Sequence, residues 1–94
     1  MAADERAEKT VLIQNELGLH ARAATKFVQT ASKFPCEITV TKDGHEVNGK
    51  SIMGVLMLVA SKGTTVVVKA KGDKAQEAVD AIGRLIDDKF GEGK

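Results

Sequence analysis

Residues 18–22 read GLHAR, a histidine and an arginine two apart, just after a glycine and leucine and at the head of an alanine-rich stretch. A neutral imidazole is nucleophilic and common at cell pH, so His20 is a candidate to take an electrophilic group covalently. Arg22 carries a planar fork of fixed charge that suits phosphate oxygens. If His20 stands at or just before the first turn of a helix, the unpaired first-turn amides and the positive end of the helix dipole complete an anion site. Each charge-assisted hydrogen bond contributes about 1.5–3 kcal/mol, against about 0.3–1 kcal/mol for an exposed dipole contact. Direct bonds from Arg22 and the amides would therefore dominate the hold on a phosphoryl group. A histidine near a helix start is more often simply solvated, and these five residues alone leave both readings open.

The other reactive side chains offer less. His45 follows a turn and is expected on an exposed strand, and Cys36 is expected in a strand core, as free cysteines often are. His20, His45 and Cys36 do not show zinc-ligand spacing, so no metal is expected. No Walker loop is expected around Gly49, Lys50 and Ser51, and no nucleotide cofactor. Ser51 reads most simply as a helix cap. After it, Ile52, Met53, Val55, Leu56, Met57, Leu58 and Val59 cover every side of a short helix, more than a sheet surface can bury. The surplus is either edge core or an exposed apolar patch for a partner, and methionine suits a surface that must fit several.

These residues need a scaffold. Residues 10–14 (TVLIQ) read as a short strand and 15–19 as a turn. Across residues 21–32, Ala24, Phe27, Val28 and Ala31 follow the spacing of a one-sided helix that must stop before Pro35. Residues 36–42 alternate, with Cys36, Ile38 and Val40 on one face, and Asp43 and Gly44 make a hairpin turn into residues 45–48. The second helix is predicted over residues 52–60, ended by Lys62 and Gly63, and a further strand over 64–70. Asp73 is the predicted cap of a third helix, with Gln76 completing a capping box, and Ala75, Ala78, Val79, Ile82, Leu85 and Ile86 form its apolar stripe. The order is β-α-β-β-α-β-α: an α+β fold with helices on one side of a largely antiparallel sheet.

The chain has 94 residues, enough for one domain with its own core. Its net charge of +1 argues against a nucleic-acid binder. One cysteine excludes an internal disulfide, and no apolar run approaches the ~20 residues of a membrane span, so a cytoplasmic setting is expected. Residues 1–9 are expected as a flexible charged tail, 10–90 as the domain and 91–94 as a C-terminal tail.

GLHAR at 18–22 together with NGKSIMG at 48–54 resembles the histidine-containing phosphocarrier (HPr) family of the bacterial phosphoenolpyruvate-dependent sugar phosphotransferase system. The likeness runs from about Thr10 to Asp88, and two motifs in the right order are far more specific than one. The resemblance implies an open-faced β-sandwich, with three helices on one face of a four-stranded sheet. It implies that His20 is phosphorylated through its δ nitrogen, attended by Arg22, with Ala21 and Arg22 binding the phosphate. Enzyme I would donate the phosphoryl group, sugar-specific permease components would accept it, and transcriptional regulators are further partners. Ser51 would be the serine phosphorylated by HPr kinase/phosphorylase, and Ala21, Gln29, Ile52, Met53, Leu56 and Met57 the docking surface. Such a protein is a stoichiometric carrier rather than an enzyme. The alternative implied is a regulatory module controlled at Ser51, with transfer through His20 weak. One residue departs from the family pattern: Ala23 stands where a proline usually follows the arginine. That leaves the start of the helix freer.

Overall fold

The computed structural model describes residues 5–94, and the chain forms a single sheet backed by helices. The elements are β1 (Arg6–Leu12), α1 (Ala21–Ala31), β2 (Glu37–Lys42), β3 (His45–Asn48), α2 (Ile52–Met57), β4 (Thr65–Lys71) and α3 (Ala75–Asp87), followed by a 3-10 turn at Lys89–Gly91. The strand order is β1-β4-β2-β3 and every pairing is antiparallel. This is the α+β open-faced sandwich that the sequence implied.

Alternation decides the two faces. Ile38 and Val40 of β2 point inward, as do Val66, Val68 and Ala70 of β4, while Glu37 and Lys69 point to solvent. Against the inward face lie Ala24, Phe27 and Ala31 of α1, and Ala78, Val79, Ile82 and Ile86 of α3, all fully buried. The Asp43 and Gly44 turn has positive φ at both residues, the geometry that a two-residue hairpin loop favours.

Three boundaries differ most from expectation. The first strand begins at Arg6, not Thr10, because residues 6–9 pair with β4 from Lys71 to Val68. Of the expected tail at 1–9, residues 1–4 lie outside the described residues. The second helix stops at Met57 rather than residue 60, since Val59 adopts φ +50 and breaks the spiral. A β-branched residue in that region is disfavoured, which is why nothing in its type signalled the stop. Residues 91–94, expected as a tail, fold back: Glu16 N–H donates to the Lys94 carbonyl at 3.0 Å, and Lys26 Nζ to that of Phe90 at 2.6 Å.

The third helix is capped differently from the box predicted at Asp73. Its N-cap position is Lys74, left-handed at φ 66 and making no side-chain cap bond. The amide of Gln76 instead donates to Oε2 of Glu5, 71 positions away, at 3.1 Å. A carboxylate there also faces the positive end of the helix. Glu5→Ala is expected to cost about 0.5–2 kcal/mol, read as a lower urea midpoint at unchanged slope.

Candidate functional site

The site lies where the loop from β1 reaches α1. Asn15 and Gly18 close a turn, with Gly18 N–H donating to the Asn15 carbonyl at 3.2 Å. Gly18 has φ +65, and a Cβ there would stand 2.5 Å from the Ala60 carbonyl oxygen, so only glycine fits. Leu19 N–H then donates to that same carbonyl at 2.8 Å, pinning the chain just before His20.

His20 is the N-cap of α1, in extended backbone geometry. Its Nδ1 accepts the Arg22 amide at 3.3 Å, doing the work that serine or aspartate usually does at a cap. Its Nε2 meets a carboxylate oxygen of Glu92 at 2.6 Å. Only the neutral tautomer with the proton on Nε2 satisfies both partners. The ring keeps 27% of its side-chain surface open. The Ala21 and Ala23 amides stand in the first turn, where no intrahelical acceptor exists, and Ala24 N–H already bonds the His20 carbonyl.

Arg22 and Ala21 are both exposed, on the first turn beside the ring. The guanidinium makes no hydrogen bond or ion pair among the described residues, so it is available to an incoming anion. Ala23, at the family's proline position, is fully buried.

Glu92 was not foreseen. It lies 72 positions from His20, and no local pattern links the two. The available signal was Phe90, a large apolar residue near a polar chain end; it is fully buried and anchors the segment. Glu92 also accepts from Nδ2 of the buried Asn15 at 3.0 Å, and Asn15 Nδ2 donates to the Gly18 carbonyl at 2.8 Å. Burial works against the Glu92 charge, but the hydrogen bonds from His20 and Asn15 and the nearby Arg22 guanidinium outweigh it and hold the carboxyl below its ordinary value. Folding therefore lowers this pKa. The carboxylate adds stability above the ordinary glutamate value of about 4.3, and that stability is lost as pH falls through the lowered folded value. The difference in urea midpoint between the native protein and Glu92→Gln should be largest above about pH 5 and shrink toward pH 3. A difference constant over that range would show that Glu92 does not hold charge in the folded state.

The second motif lies on the next helix. The Ser51 hydroxyl accepts the Gly54 amide at 3.1 Å, capping α2 as its sequence suggested. Residues 44–51 read GHEVNGKS, and their glycines, lysine and serine do stand at Walker-loop spacing, so the expectation of no such motif needs correcting. The fold nonetheless rules out a phosphate cradle there. His45–Asn48 is strand β3 paired to β2, the Gly49 amide donates to Ile38, and Lys50 Nζ is bound to the Phe34 carbonyl at 2.7 Å.

Met53 and Met57 are about 70% exposed and Ile52 less so, whereas Val55 and Leu58 turn into the core. Leu56 is half-buried and Gln29 is exposed on α1. Two more exposed apolar residues extend the patch: Leu17, in the loop before Gly18, which the sequence did not signal, and Val59, one of the surplus residues of the second helix. Both line a cleft of about 250 Å³ with Leu19, His20, Leu56 and Ser61, so the apolar patch reaches the ring. Elsewhere, His45 is exposed on β3, and burial pushes the Cys36 thiol up from its ordinary pKa.

A small domain of this fold, with a partly open imidazole at the head of a helix and an apolar patch beside it, is arranged for partners to reach that one histidine. The family model described as the phosphorylation site of the phosphotransferase-system HPr component matches residues 7–88. The phosphocarrier protein HPr of Neisseria meningitidis is 51% identical over 87 residues, covering 93% of this chain and 98% of that one. The phosphocarrier protein NPr of Shewanella violacea is 45% identical over 93% of this chain and 96% of its own. Among solved structures, HPr-C-His of Thermoanaerobacter tengcongensis superposes with a TM-score of 0.89 at 52% identity, covering 92% of this chain and 97% of that one. The chain belongs to the HPr phosphocarrier family of the phosphotransferase system. Among the described residues, no helix is long and apolar enough to cross a membrane.

Proposed function

We propose that this protein takes a phosphoryl group on Nδ1 of His20 from phosphorylated enzyme I in the cytoplasm and passes it to sugar-specific permease components. The observation that carries this reading is the position of Nδ1, which faces the first-turn amides of α1 across a single 3.3 Å bond from Arg22. When the lone pair of Nδ1 attacks phosphorus, the Arg22 amide is released from the ring and turns to a phosphoryl oxygen. The Ala21 and Ala23 amides and the Arg22 guanidinium join it, without rearrangement of the helix. The Nδ1–P bond forms as the bond from phosphorus to the donor breaks, and the donor keeps that electron pair. The acceptor then attacks the same phosphorus, and the ring leaves with its electrons restored.

Ala21, Gln29, Ile52, Met53, Leu56 and Met57 form the docking surface in this reading, supported by the exposure of all but Leu56. Ser51 is the proposed target of HPr kinase/phosphorylase, through which transcriptional regulators are reached. A phosphate there adds about −1.5 to −2 charges at the edge of an apolar patch. The helix start tolerates that charge, and a docking enzyme does not.

Two labelling reactions test the reading. Enzyme I with phosphoenolpyruvate should give an acid-labile phosphate, and HPr kinase with ATP an acid-stable one that vanishes in Ser51→Ala. Acid-stable label alone would favour the regulatory module over the carrier.

A further inference from the structure

An imidazole has two nitrogens, and nothing in the ring itself restricts phosphorylation to one of them. Here the two sides differ. Nε2 is closed off by a carboxylate at 2.6 Å, held in turn by Asn15. Nδ1 faces peptide N–H groups. An incoming phosphoryl donor is an anion, repelled on one side of the ring and attracted on the other. The Glu92 side chain is 12% exposed, which leaves a donor little room to pass it.

We propose that Glu92 is a positioning residue that holds the Nε2 proton of His20, masks that nitrogen and so directs phosphorylation to Nδ1. The segment carrying it is fixed at several points: Lys26 on Phe90, Glu16 on Lys94, and the buried Phe90 ring. Lys89, Phe90 and Gly91 all have positive φ, a tight reversal that aims residue 92 back at the ring. The proton that Glu92 holds stays on Nε2 throughout. As Nδ1 takes phosphorus, the positive charge appearing on the ring is therefore met by a carboxylate already in place.

The inference rests on His20 being the phosphoryl acceptor, but its test needs no partner protein. Phosphoramidate is a small chemical donor. Nitrogen of the ring forms the new N–P bond, the P–N bond of phosphoramidate breaks, and its nitrogen leaves as ammonia after taking a proton from water. Phosphorus NMR distinguishes the two phosphohistidine isomers at early times. The native protein should give the δ isomer in about tenfold or greater excess, the discrimination of one charge-assisted hydrogen bond. Glu92→Ala should give a large share of the ε isomer, and Glu92→Gln an intermediate ratio, with the proton–nitrogen correlation spectrum of each variant showing the native fold. The same isomer ratio in all three proteins overturns the assignment. If the ratio changes but enzyme I labels none of them, the relay reading fails and the role of Glu92 stands.

Discussion

His20→Asn takes up no acid-labile phosphate from enzyme I and phosphoenolpyruvate, yet keeps the native fold and the helix cap, losing only the bond to Glu92. Asparagine is the informative replacement because it ranks among the best N-cap residues, and its side-chain oxygen can accept the Arg22 amide as Nδ1 does. His20→Ala also abolishes labelling and likewise leaves Glu92 with Asn15 alone, but it removes the cap as well. Those losses together cost about 1–3 kcal/mol. Comparing the two by urea unfolding separates lost chemistry from lost structure. Residual acid-labile label on His20→Asn would move the acceptor elsewhere, with the exposed His45 the other histidine available.

Gly18→Ala is expected to be the most damaging change outside the histidine. The left-handed backbone alone costs about 1 kcal/mol for alanine. The new Cβ would stand 2.5 Å from the Ala60 carbonyl oxygen and 2.8 Å from Ser61 Cα, both backbone, so no side chain can swing aside. The loop must move, giving a total loss of about 2–4 kcal/mol. Because Leu19 is bonded to that same carbonyl, His20 moves with it, and a shift near 1 Å can lower transfer about 100-fold. Gly44→Ala is the control: its φ is +82 but its Cβ meets nothing within 4 Å, so it pays only the backbone cost and leaves transfer intact. Equal losses from the two substitutions would show that the contact with Ala60 is unimportant.

These expectations draw on parts of the molecule that the sequence disclosed unequally. The one-sided spacing of Phe27 and Ala31 in α1, the alternation of Ile38 and Val40, and the stripe of α3 were legible because each is a local period imposed by one buried face. Residues 6–9 were not, since Arg6 and Glu8 carry charge on an edge strand and only the partner, β4, makes them extended. Val59 hid the end of α2, because a left-handed valine runs against its own preference. For Ser51 the cap was legible from serine before an apolar run. At the site, His20, Ala21 and Arg22 are neighbours in the chain and could be read together. Glu92 could not, because its meeting with His20 depends on α3 ending where it does and on Phe90 finding the core.

The most direct measurement is a proton–nitrogen correlation spectrum of uniformly labelled protein before and after phosphorylation by enzyme I. The amides of Ala21, Arg22 and Ala23 should move strongly downfield as they close on phosphoryl oxygens, with strands β2, β3 and β4 unchanged. Phosphorylated protein in which those three amides stay still, while others distant from α1 shift, would contradict a phosphoryl group held at the head of that helix.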